Sequence, residues 1–206
     1  MIITSRDNSI VNTVAKFKII QGRQIKALCG FAGTRACDRR LKALTDNGFL
    51  NRQRVIYGVA GLYTITPKAV KEFGIELPIS VIRLDQVRHD IAVVDTVTYY
   101  TQNGISLNDI TTEKELRHKQ GFGNREHMPD FVFPLDGKSV CVEVELSLKA
   151  KDRLVKNLKA NYLKYDTQIW VIPEEGKKIR EIVSSSVNQF PNIEMLSLSQ
   201  ILGTQN

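Results

Sequence analysis

The chain has 206 residues, 42% of them hydrophobic and 25% charged, with three cysteines and a formal net charge of +7. That length suits two small domains, and the composition is that of a globular chain rather than a disordered or low-complexity one. It has no run of about 18 apolar residues and no signal-peptide pattern in its opening MIITSRDNSI, so a cytoplasmic protein without a membrane partner is expected. Along the chain, Ile10, Val11, Val14 and Phe17 recur at helical spacing and predict a helix over 8–18. Gly22 breaks it, and a short second helix is expected over 23–29. After Gly30 and Gly33, Thr34 is placed to cap a third helix running to about Asn47. Residues 49–56 alternate with Arg52 and Arg54 on one face, 57–61 reads as a turn, and 62–65 as a returning strand. Pro67 opens another short helix, and Leu77-Pro78 marks a boundary between a domain over 1–78 and another over 79–206.

Charge divides unevenly across that boundary. Residues 1–78 hold 13 Lys and Arg against 5 Asp and Glu, and the remainder hold 16 against 17. The positive excess therefore lies wholly in the first part and points it at a polyanion. In the third helix Leu41 and Leu44 can pack inward, leaving Thr34, Arg35, Arg39, Arg40 and Lys42 as a polar, cationic remainder. Three helices followed by a hairpin, with the stretch TRACDRRLKALTDNGFLNRQRVIYGVAGLYTIT, resemble a winged helix-turn-helix. The resemblance implies that the third helix enters the major groove of double-stranded DNA and that the hairpin, with Arg52 and Arg54, lies along the backbone or minor groove. A winged helix used for protein contacts, with its charges merely solvated, is the alternative.

In the second part, Val87, Ile91, Val94 and Val97 make one helical face within 85–102, which Asn103-Gly104 stops. Residues 105–117 are read as containing extended segments, and 119–126 as a polar loop. A strand over 130–133, the turn Asp136-Gly137 and a second alternating strand over 139–147 read as a hairpin. Helix over 150–165, a buried strand over 168–172, helix over 177–187 and a last strand over 193–196 complete an α/β (α+β) order of α-β-β-β-α-β with a following α-β. Cys29, Cys37 and Cys141 form no CxxC pair, and inert buried thiols are expected.

Within this order one stretch carries candidate chemistry. Alternation puts Glu143, Glu145, Ser147 and, where the strand stays extended, Lys149 on one face, with Asp130 on the neighbouring strand across the hairpin. Three carboxylates and one ammonium are thus expected together at a sheet edge. Carboxylate oxygens suit Mg²⁺ or Mn²⁺, and Asp130 with Glu143 is the expected metal pair. The competing reading is a solvated strand face of ordinary alternation. Glu113, Glu115 and Glu126 are read as surface residues, and His127 as a hydrogen bonder first and a base second. Tyr99, Tyr100 and Tyr162 offer a nucleophile but are read as packing groups.

Pro129-Asp130, a hairpin, then Glu143 with a later lysine, inside this element order, resembles the PD-(D/E)XK nuclease superfamily over about 85–173. The sequence departs from that pattern: position 145 after Glu143 is Glu, position 147 is Ser, and lysine arrives at Lys149, with Lys164 as a substitute. A winged helix joined to a restriction-endonuclease-like core is similar to the replication–relaxation family of mobile elements, which includes plasmid mobilisation relaxases of the MobC type. That resemblance implies Mg²⁺- or Mn²⁺-dependent DNA nicking at an origin by Asp130, Glu143 or Glu145, and Lys149. It leaves open a catalytically inactive origin-binding accessory or transcriptional regulator, and contacts with other replication or transfer proteins.

Overall fold

The structure is a computed structural model and describes residues 2–121, 123, 126–148 and 150–203. The chain is mixed α/β and divides into two compact units, 1–94 and 95–206. Among the described residues no helix is long and apolar enough to cross a membrane.

In the first unit, α1 (Ser5–Lys16) starts at Thr4, whose side chain accepts the Asp7 N–H while the Asp7 carboxylate takes the Thr4 N–H. This reciprocal cap satisfies two orphan donors and starts the helix earlier than the apolar stripe alone suggests. A two-residue strand, β1 (Ile20–Gln21), leads into α2 (Gly22–Leu28) and then α3 (Thr34–Asp46). The cap of α3 is Gly33 and not Thr34, which is the first helical residue. The hairpin strands are β2 (Leu50–Gln53) and β3 (Leu62–Ile65), and β1 pairs with the far side of β3, so β3 is central in a three-stranded antiparallel sheet. A short helix, α4 (Pro67–Phe73), follows, capped by Thr66.

The unit continues past the Leu77-Pro78 boundary read from sequence. Val87 is fully buried with Ile19 and Leu62, and Ile82, Ile91, Val55, Ile56 and Val59 pack against these three. The division therefore falls inside α5 (Val87–Gln102), between Val94 and Asp95. Residues 79–94 carry two cations and two anions, so the first unit keeps its whole +8 excess.

The second unit holds a five-stranded sheet in the order β4-β5-β6-β7-β8. Its strands are β4 (Thr111–Thr112), β5 (Phe131–Leu135), β6 (Lys138–Val144), β7 (Thr167–Ile172) and β8 (Ile193–Ser197). The first three run antiparallel and β6, β7 and β8 run parallel, joined by α7 (Lys151–Tyr162) and α8 (Lys177–Ser186). Of the extended segments expected over 105–117, including 109–112, the structure has β4 at Thr111–Thr112, and the residues that follow form the helix α6 (Glu113–Gln120) where extended chain and the start of a loop are expected. Thr112 and Glu115 form its reciprocal cap, a Thr-x-x-Glu signal at the start of a helix rich in Glu, Lys, Leu and Arg. A last short helix, α9 (Leu198–Gly203), closes the described chain.

The β5–β6 turn is Asp136-Gly137, with φ of 50° and 74°, the pair of positive angles that the right-handed twist of a two-residue hairpin demands. It sets Phe131 opposite Val142 and Phe133 opposite Val140. These residues share the face that receives Tyr100 of α5, whose ring centroid is 4.8 Å from that of Phe133. The other face carries Cys141, Glu143, Gln168, Trp170 and Ile172 by alternation. There Trp170 and Ile172 join Leu154 and Leu158 of α7 and Ile179 and Val183 of α8 in one cluster. Both faces of β6 are covered, and Val140 through Val144 are all buried.

Candidate nucleic-acid interface and carboxylate site

Two helical stripes govern α3. Cys37, Leu41 and Leu44, spaced four and three apart, are buried. Arg35, Arg39 and Lys42 have the same spacing two residues out of phase, about 200° around the helix, and all three are exposed. Thr34 is exposed at the helix start. Lys42 also reaches Asp46 at 2.6 Å, a solvated i,i+4 pair of small energetic weight. Arg52 and Arg54 are exposed on and just beyond β2, and the Arg52 guanidinium lies 5.9 Å from the Tyr63 ring centroid.

Arg40 is placed differently from its neighbours. Its guanidinium grips both carboxylate oxygens of Asp7, which is fully buried. Burial pushes the Asp7 carboxyl up, but hydrogen bonds from Arg40 and Thr4 outweigh that and hold it below the usual carboxylate range. The pair ties α3 to the start of α1. Arg40, grouped by sequence with the DNA-binding residues, is therefore engaged in holding the helix in position.

In the second unit, Asp130 sits one residue before β5 and Glu143 one residue before the end of β6. Asp130 is tied through its main chain: its N–H donates to Val142 O at 3.1 Å and its carbonyl accepts the Glu113 N–H at 2.7 Å. Its carboxylate accepts the Val144 N–H at 2.7 Å. Glu143 is only 8% exposed, so it is not part of a solvated strand face. Its Oε1 lies 2.5 Å from His127 Nε2 and accepts from Asn161 Nδ2 at 2.9 Å. Burial pushes the Glu143 carboxyl up, and the negative charge of Asp130 adds to this against the bonds from His127 and Asn161.

The site thus lies at the end of a central strand rather than on the sheet edge expected from sequence. Glu145 and Ser147 fall beyond the end of β6. The Glu145 N–H donates to Val171 O at 3.0 Å and its side chain is half-buried. Lys149 lies outside the described residues. Lys164 is exposed and reaches Glu126 at 2.7 Å. His127, expected from sequence to be a hydrogen bonder first, is the direct partner of Glu143. Asn161 carries a signal that motif reading misses: a polar residue in register with Leu154 and Leu158 on the apolar stripe of α7.

As a donor set, Asp130 and Glu143 offer the oxygen ligands Mg²⁺ and Mn²⁺ take, and two carboxylates suffice where a substrate phosphate completes the shell. Among the described residues no group of three or more His, Cys, Asp and Glu could hold a metal ion, so Glu145 and His127 do not complete a metal cage there. Tyr100 is buried among Phe131 and Phe133, and Tyr162 lies against Phe190 with centroids 5.3 Å apart. No family model, no curated protein and no solved structure matches the chain.

Proposed function

We propose that this chain is a duplex-DNA-binding protein whose first unit works as a winged helix. The observation that carries the reading is the stripe of Arg35, Arg39 and Lys42 on the exposed face of α3, with Arg52 and Arg54 on the adjoining hairpin, in the unit that holds the entire positive excess. Cations so grouped neutralise backbone phosphates, and arginine can read guanine edges in the major groove. The affinity of the full chain for a duplex should fall with salt, and removing these cations should flatten that dependence by about 0.9 per lost phosphate contact. Affinity that does not respond to salt would overturn the reading in favour of a protein-docking module.

A second reading, nicking by a PD-(D/E)XK-type core at an origin of a mobile element, is favoured by Asp130, whose carboxylate accepts the N–H of Val144, the residue after the buried Glu143. Two carboxylates so placed are costly without a compensating cation. Asp130 and Glu143 would hold Mg²⁺ or Mn²⁺, which when bound supplies an activated water and charge stabilisation on the phosphodiester. His127 and Asn161 hold one oxygen of Glu143 in a single orientation. The reading assigns Lys149 to the phosphate. Supercoiled plasmid should be relaxed by the wild type with either ion, and not by Asp130→Ala or Glu143→Ala, with DNA binding retained in both. Equal nicking by the variants, or none by the wild type on any such substrate, would leave the protein an origin-binding accessory or regulator.

A further inference from the structure

The loop between β2 and β3 combines features not needed for phosphate contacts. Its Val55, Ile56 and Val59 pack inward against the Ile19, Leu62 and Val87 cluster. The Val59 N–H donates to Ile56 O at 3.2 Å, closing a four-residue turn around Tyr57 and Gly58. Gly58 has φ of 77°, which the third position of a type II turn requires. Tyr57 occupies the outer corner and is fully exposed. Arg52, Arg54 and Tyr57 line an open concavity of about 630 Å³ together with the loop's apolar residues. An aromatic ring presented outward by an anchored turn, with two guanidiniums on its own hairpin, has the elements of a base-stacking platform: a flat apolar face and nearby cations for the flanking phosphates.

We propose that Tyr57 stacks on an unpaired nucleobase, so that the chain prefers DNA carrying an unstacked nucleotide beside duplex. This rests on the DNA-binding reading above and narrows its substrate. Arg52 and Arg54 contribute the salt-dependent part of the affinity, and Tyr57 a part that salt does not change.

The test uses the full chain with a duplex containing 2-aminopurine in a single-nucleotide bulge, and the same duplex fully paired. The wild type is expected to bind the bulged DNA about tenfold more tightly and to quench the bulged base. Tyr57→Phe should keep both effects. Tyr57→Ala should lose the preference and the quenching with its salt slope unchanged, while Arg54→Ala should lower the slope and keep the quenching. Circular dichroism showing native helix content in Tyr57→Ala keeps a folding failure apart from a lost contact. Equal affinity for the two DNAs, or quenching that survives Tyr57→Ala, would overturn the proposal while leaving duplex binding intact. Equal weakening of both DNAs by Tyr57→Ala would place the ring in an intact groove and overturn it as well. Absence of binding to either DNA would instead defeat the underlying DNA-binding reading, and the stacking site with it.

Discussion

Arg40 and Glu143 show how much the surroundings of one side chain decide. Arg40 stands between Arg39 and the nearby Lys42, yet its partner is the buried Asp7. Arg40→Ala leaves that buried carboxylate without its counter-charge, held only by Thr4, and should cost about 3 kcal/mol in denaturant unfolding with little change in the salt dependence of DNA binding. Arg39→Ala should do the reverse. The folded-state pKa of Asp7 lies below its unfolded value, so the unfolded chain binds the proton more readily. The stability Asp7 contributes is complete above about pH 5, and is lost as pH falls through about 4 toward the folded value. Asp7→Asn should remove that portion of the acid unfolding curve. Glu143 has the opposite sign, its carboxyl raised by burial, so its ionised form costs stability at neutral pH. Glu143→Gln should therefore raise the thermal midpoint in chelator. Added Mg²⁺ should stabilise the wild type and not the variant.

At the scale of elements, short local signals decide where helices start. The Thr112 and Glu115 cap begins α6 directly after the two-residue strand of Thr111 and Thr112. Thr112→Ala should cost about 1 kcal/mol by chemical denaturation. Its effect should spread to Asp130, because the Glu113 N–H donates to the Asp130 carbonyl. The 137 position of the β5–β6 turn has φ of 74° and open space around it, so Gly137→Ala tests backbone conformation with no steric clash. Roughly 1–2 kcal/mol of destabilisation is expected, as for an L-residue forced into the left-handed region.

Over the whole molecule, the first unit ends at Val94, later than the Leu77-Pro78 boundary read from sequence. A fragment over 1–94 keeps Val87 on Ile19 and Leu62, whereas one over 1–78 exposes both. The longer fragment should be more stable by about 2 kcal/mol, the value of burying one such side chain, as read by urea unfolding of the two fragments. Apolar periodicity, the Asp-Gly turn and strand alternation are enough to read the helix-rich first part and the β5–β6 hairpin, because these are local properties of 3.6- and 2-residue repeats. The charge count located the cationic unit without the fold. Periodicity reports which side of an element is covered, but not what covers it. Only the tertiary structure paired Arg40 with Asp7, brought Asn161 and His127 to Glu143, and buried both faces of β6, since those contacts join residues 16 to 33 positions apart whose meeting is set by packing rather than by spacing.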